Sequence, residues 1–79
     1  MSKEWTTAVA EAEASAQQKQ SAEDQAHRAF YLVREQIESA GRLGTEVDTP
    51  EYREWMAARH ASDEAWGAWA MVKDAEPAR

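Results

Sequence analysis

The sequence predicts an all-α fold, an antiparallel hairpin of two helices. Helix-favouring Ala, Glu, Gln, Lys and Arg dominate its 79 residues. Neither Gly nor Pro occurs between Lys3 and Ala40, which indicates one long helix. Two glycines and a proline then interrupt the helical composition before it resumes, so a short loop is expected to join two helices.

The first helix is predicted to run from about residue 3 to about residue 41. Its stretch "AVAEAEASA" alternates as a strand does, but Ala and Glu are poor strand residues and no β-branched or aromatic run follows. Gly41 and Gly44 supply the signals that end the helix. Ser21 with Asp24 resembles a weak capping box, so a kink near Gln20 is the main alternative.

The second helix is predicted to run from about residue 50 to about residue 73. Thr49 or Asp48 caps its start, and Pro50 occupies the first turn, where its missing N–H costs nothing. Glu51 is favourable at the positive end of the helix dipole. Residues 1–79 form a single domain, of which residues 75–79, "AEPAR", are expected to be a frayed tail.

A coiled-coil-like 4-3 spacing of apolar residues marks the face of the first helix that meets the second. If the turn centres near residue 46, Phe30 lies opposite Ser62 and Ala58, and Trp66 lies over Ala26. In this register large side chains face small ones, which favours close packing. The second helix then ends opposite about residue 18, so residues 3–17 are predicted to overhang.

The overhang continues the apolar stripe without an intramolecular partner. An isolated helix of this length is marginal in water, so the stripe predicts an oligomer interface and a homodimer that completes a helical bundle. Fraying, or a third helix folded back on the hairpin, are the alternatives. The predicted interface residues are Trp5, Val9, Ala12 and Ala16.

Two further surfaces are candidates for binding a partner protein. The first is the side of the second helix away from its tryptophans, where a costly helical glycine lies among adaptable methionines. Its residues are Met56, His60, Gly67 and Met71, and this side could instead belong to the dimer core. The second is a short acidic segment, Glu46, Asp48, Glu51 and Glu54.

Several function classes are excluded by composition. The formal net charge of −6 argues against nucleic acid as a direct partner, because phosphate binding requires a basic face. No apolar run approaches the roughly 20 residues of a membrane span. The N-terminal stretch is too polar for a signal peptide. With no Cys, disulfides are excluded, and we expect a cytoplasmic protein.

Catalytic and cofactor chemistry is also not expected. Asp24–His27 and His60–Glu64 have spacings that place two ligands on one helix face, but the predicted register keeps the two pairs apart. The sequence contains neither a nucleophile motif nor a glycine-rich phosphate loop after a strand. We therefore expect no metal, no cofactor and no enzymatic activity.

The function that remains is a non-enzymatic helical protein-binding module. A short, acidic, all-helical chain without catalytic residues resembles many phage- or plasmid-encoded inhibitors of host proteins. That resemblance implies a phage-type inhibitor of a host defence or regulatory protein. Two alternatives stay open: an acidic nucleic-acid mimic that occupies a basic DNA- or RNA-binding channel, and a small-ligand sponge at an oligomer interface.

Overall fold

The computed structural model of this chain describes residues 3–42 and 44–77. It contains two long helices, α1 (Lys3–Ser39) and α2 (Pro50–Asp74), joined by a loop with a short 3-10 turn, Glu46–Asp48. The predicted all-α helical hairpin is confirmed, and each helix ends within two residues of its predicted bounds. α1 is continuous, so the alternative of a kink near Gln20 is wrong. Of the predicted tail, residues 75–77 follow α2 without helical structure, and residues 78 and 79 lie outside the described residues.

α1 ends at the first of the two predicted glycines. The Gly41 N–H donates to the Glu38 carbonyl and the Arg42 N–H donates to the Ile37 carbonyl, which together form a Schellman motif. This motif requires a positive φ, and Gly41 has a φ of 72°. Gly44, with a φ of 103°, turns the chain a second time. Glycine adopts both conformations without the steric cost that other residues bear.

α2 begins where the sequence predicts. The Thr49 hydroxyl accepts a hydrogen bond from the Tyr52 N–H at 3.1 Å, so Thr49, and not Asp48, is the N-cap. The same hydroxyl donates to the Glu46 carbonyl at 2.7 Å, which ties the helix start to the 3-10 turn. Pro50 is the first residue of the helix.

The helices pack in a register different from the predicted one. The Phe30 ring stacks on Trp55 with centroids 5.1 Å apart and lies 5.5 Å from the ring of Tyr52. The sequence had predicted that it would face Ser62 and Ala58. α2 is therefore displaced by about two helical turns toward the N-terminus of α1.

The loop explains the displacement. Thr45, Asp48 and Thr49 line one depression together with Val33 and Ile37, so the 3-10 turn descends beside the last turns of α1. α2 consequently starts alongside α1, whereas the prediction assumed a simple turn centred beyond the end of α1. A loop that folds back in this way cannot be recognised from its length alone.

The predicted overhang of α1 is wrong for the same reason. Ala16 is 0% exposed, and the Trp5 indole N–H donates to the Val72 carbonyl at 2.8 Å near the C-terminal end of α2. Trp5, Val9 and Ala12 are half-buried. The stripe that was predicted to need a second chain thus packs within the hairpin, and the reason for assigning it to a dimer interface does not hold.

Two tryptophans of α2 lie at the edge of the helix–helix seam. Trp66 and Trp69 are half-buried, and their rings meet edge to face with centroids 5.5 Å apart. The Trp66 indole N–H donates to the Gln20 side-chain oxygen at 3.1 Å, and the Lys73 ammonium lies 4.8 Å from the Trp69 ring centroid. Both rings thus cover the edge of the helix–helix seam.

The hairpin is a single layer of two helices. Its Cα atoms extend over 61 × 15 × 13 Å, with a radius of gyration of 17.7 Å. A compact chain of this length has a radius of gyration of about 12 Å. Among the described residues only Ala16, Phe30 and Ser62 are buried, and no large side chain is fully buried. Both broad faces of the hairpin are therefore open.

Candidate protein-binding surface

The first predicted partner surface lies along the side of α2 away from α1, and we call it the back face. Its four members, Met56, His60, Gly67 and Met71, are separated by four, seven and four residues, which keeps them in one row. Met71 is 75% exposed, and His60 and Gly67 are also exposed. Met56 is half-buried and forms the edge of the surface that is nearest the seam.

Gly67 has no structural role inside the hairpin. A Cβ atom placed on it would meet nothing within 4 Å, and its φ is not in the left-handed region. A glycine within a helix costs about 1 kcal/mol relative to alanine. Neither packing nor backbone conformation offsets this cost within the chain, so Gly67 leaves open space on the surface.

The back face has a polar part beside its methionines and glycine. The His60 Nε2 lies 2.9 Å from the Glu64 Oε1, a pair of residues one helical turn apart. The two side chains are 75% and 70% exposed, so water screens the interaction and its contribution to stability is small. Glu64, three residues before Gly67, thus places a polar group next to it on the helix surface.

The acidic segment is drawn partly into the loop. The Glu46 carboxylate accepts a hydrogen bond from the Gly44 N–H at 2.6 Å. Its own backbone N–H first, then that of Gly44, and more weakly the charge of Arg34, hold the pKa of Glu46 below its usual value. Glu51 is half-buried, and one of its carboxylate oxygens has no hydrogen-bond partner among the described residues.

The remaining two acids of this segment are exposed. Asp48 accepts a hydrogen bond from the Arg53 guanidinium through its main-chain carbonyl at 3.3 Å, which brings a positive charge into the segment. Glu54 lies on the next turn of α2. Four acids thus share this end of the molecule, but they do not form one continuous row of free carboxylates.

Sequence reasoning missed two exposed apolar side chains on α1. Tyr31 is 50% exposed and Leu32 is 63% exposed. With His27 and Arg28 they line a shallow depression of about 500 Å³. The signal was present in the sequence, because both residues follow Phe30 directly and so lie off the 4-3 stripe that faces α2.

The two histidines have different neighbours. The His27 ring packs on Trp55 with centroids 4.6 Å apart and meets Tyr31 edge to face at 6.0 Å. His60 pairs with Glu64 on α2. In the part of the chain that the structure describes, no three His, Asp or Glu side chains come together in a group that could hold a metal ion.

Comparisons with known proteins give no family assignment. No protein-family model, curated protein or solved structure matches this chain. Neither of the helices in residues 3–42 and 44–77 combines the length and the apolar character that a membrane-spanning helix requires. Conclusions about function therefore depend on the surface itself.

Proposed function

We propose that this chain is a non-enzymatic protein-binding module that engages a partner protein through the back face of α2. One observation carries the proposal: Met71 is 75% exposed one turn from Gly67, where a Cβ atom would meet nothing within 4 Å. A large apolar side chain is exposed to water next to a position where the helix carries no side chain. The surface fits a partner that approaches the backbone closely at Gly67 and buries the methionine.

The arrangement suits helix-in-groove recognition. An exposed helix presents a row of residues about one and two turns apart to an apolar groove of its partner. On α2 the row runs from Met56 through Gly67 to Met71, a span of 15 residues or about 23 Å. Methionine adapts to irregular grooves because its side chain is flexible and polarisable. The partner chemistry we propose is thus an apolar groove with a polar rim that can contact His60 or Glu64.

The proposed action is inhibition of a host defence or regulatory protein, as in a phage-type inhibitor. It is supported by a resemblance at the level of class: the chain is small, acidic and all-helical, with a net charge of −6, as are many phage- or plasmid-encoded inhibitors of host proteins. Binding in the cytoplasm is part of the proposal, since a chain without Cys needs no oxidising compartment. The acidic mimic gains no support of its own, because Glu46 is engaged within the loop.

Self-association into a helical bundle is the second part of the proposal. Its support is the single-layer architecture, since stable domains are built from at least two packed layers around a core. The hairpin offers only Ala16, Phe30 and Ser62 as buried residues in the described part of the chain. A second hairpin would supply the missing layer.

Partner capture with matched variants tests the binding site. Wild type, Gly67→Glu and Ala70→Glu are immobilised and exposed to the same bacterial lysate. Ala70 is an exposed alanine about 60° around α2 from Gly67 and outside the row of the back face, so it controls for the added charge. We expect wild type and Ala70→Glu to retain the same protein. Gly67→Glu is expected to bind it with at least tenfold lower affinity, a loss of about 1.4 kcal/mol.

Folding does not confound this comparison. Gly67→Glu replaces a poor helix former with a good one, so its helicity and melting temperature are expected to stay equal or to rise. A Gly67→Glu variant that is folded and captures the same protein as wild type would remove the back face as the binding site. Loss of capture by Ala70→Glu alone would place the site on a different side of α2.

A further inference from the structure

We infer that the second copy of the chain docks on one broad face of the hairpin, which we call the uncharged face. This inference rests on the proposed self-association and names its surface. The uncharged face is formed by Ala22, Ala29 and Val33 of α1 and by Ala61, Ala65 and Ala68 of α2. Two copies would pack these faces together about a two-fold axis and form a four-helix, two-layer bundle.

The neighbours of Phe30 show where this face lies on α1. Phe30 is buried against α2, and successive residues are turned by about 100° around a helix. Tyr31 is therefore on one broad face of the hairpin, where it contacts His27, which in turn packs on Trp55. Ala29 is on the opposite broad face and is exposed.

The neighbours of Ser62 mark the same division on α2. Ser62 is 3% exposed, so it faces α1 directly. Asp63 lies about 100° to one side, and it shares that side with Trp66, whose indole bonds Gln20. Ala61 lies about 100° to the other side. Ala61 and Ala29 consequently belong to one broad face, and Tyr31, Trp66 and Asp63 belong to the other.

Charge is distributed unequally between the two broad faces. Between residues 15 and 39 of α1 and residues 57 and 72 of α2, the uncharged face presents Ala, Val, Ser and Gln side chains. On α2 the face ends at Glu54, which lies two turns before Ala61 on the same side of the helix. The opposite face carries Asp24, Arg59 and Asp63. Two copies, each with a net charge of −6, repel one another. The uncharged face allows them to meet without bringing acidic side chains together.

The exposed area matches what a stable dimer buries. The chain exposes 6006 Å², whereas a compact monomer of 8.9 kDa exposes about 4,800 Å². The excess of about 1,200 Å² exceeds the roughly 800 Å² per partner of a standard interface. Residues 57–72 of α2 give a face about 24 Å long and about 20 Å wide, or about 480 Å² in each copy.

The proposed dimer leaves the partner site free. Gly67 and Met71 lie on the side of α2 away from α1, about 100° and about 60° around the helix from Ala68, so Met71 borders the uncharged face without belonging to it. Two copies would therefore present two back faces on opposite sides of one bundle. Such a bivalent protein gains avidity for a partner that is itself dimeric.

Two exposed alanines of α2 provide a matched test by sedimentation equilibrium of the full chain. Ala68 lies on the uncharged face, and Ala70, two positions on, lies on the opposite broad face. Each alanine is replaced by Glu in a separate variant. We expect wild type and Ala70→Glu to sediment as dimers at micromolar concentration and Ala68→Glu to show a dissociation constant at least tenfold higher.

The outcomes separate the two proposals. A monomeric wild type would refute self-association itself. A dimeric wild type with an unchanged Ala68→Glu, or with dissociation caused only by Ala70→Glu, would overturn the uncharged face alone. Because the chain has no Cys, Ala68→Cys and Ala70→Cys provide a gentler second measurement if the charge impairs folding. Under oxidation we expect a disulfide-linked dimer from the first only, and equal cross-linking of both would contradict the inference.

Discussion

Phe30 is the residue whose loss should destabilise the hairpin most. Its side chain is 7% exposed and stacks on Trp55. A buried Phe removes about 150–250 Å² from water, and at about 25 cal/mol per Å² this contributes about 4–6 kcal/mol. Partial collapse of the cavity reduces the loss, so we expect Phe30→Ala to lower the free energy of unfolding by about 3–5 kcal/mol. A chain of this size has a total stability of roughly 4–12 kcal/mol.

Urea denaturation followed by circular dichroism measures this loss, with all variants at one protein concentration because association contributes to stability. Leu32→Ala is the control, since Leu32 lies on the same helix and is 63% exposed. We expect Leu32→Ala to cost less than about 1 kcal/mol. Similar losses for the two variants would show that Phe30 does not lie in the seam and would refute the helix–helix packing described above.

Three other changes have expected outcomes. Trp5→Phe removes the hydrogen bond to the Val72 carbonyl, and we expect a loss of about 1 kcal/mol together with faster amide exchange in the last turn of α2. The pKa of Glu46 is lowered in the fold, so its contribution to stability is present above the ordinary glutamate pKa of about 4.3 and is lost as the pH falls through the lowered value. Chemical denaturation from pH 5 to pH 2 should show that loss in wild type and not in Glu46→Gln. Gly67→Ala should raise the melting temperature, since it adds about 1 kcal/mol of helix propensity and its Cβ enters open space.

The helix bounds could be predicted because their signals are local. Gly41 ends α1 in a Schellman motif, and the Thr49–Pro50 pair starts α2, as their conformational preferences require. These preferences act within one helical turn and do not depend on the remainder of the fold. The continuous α1 follows from the lack of Gly and Pro in its sequence.

The register could not be predicted from the same pattern. A 4-3 spacing repeats every seven residues, so sliding one helix past the other by seven residues keeps the same faces in contact. Phe30 opposite Ser62 and Phe30 opposite Trp55 differ by such a slide. The 3-10 turn decides between them, and its path depends on contacts with Ile37 and Val33 that the sequence does not reveal.

The candidate site was predicted in part for a related reason. Helical spacing alone places Gly67 and Met71 on the outer side of α2, and this position does not change when the helix slides. The predicted interface at Ala16 depended on the register and lost its basis with it. Tyr31 and Leu32 were missed because the search followed the buried stripe and not the large apolar side chains outside it.

Site-specific photo-crosslinking at three neighbouring positions of α2 tests the central claim most directly. A photoreactive amino acid replaces Ala68, Ala70 or Met71 in turn, which samples three sides of one helix. Irradiation in lysate is predicted to join position 71 to a foreign protein and position 68 to a second copy, which gives a product of about twice the 8.9 kDa chain mass. Position 70 is predicted to give neither product. Identical products from all three positions, or only self-linked product from position 71, would contradict the account.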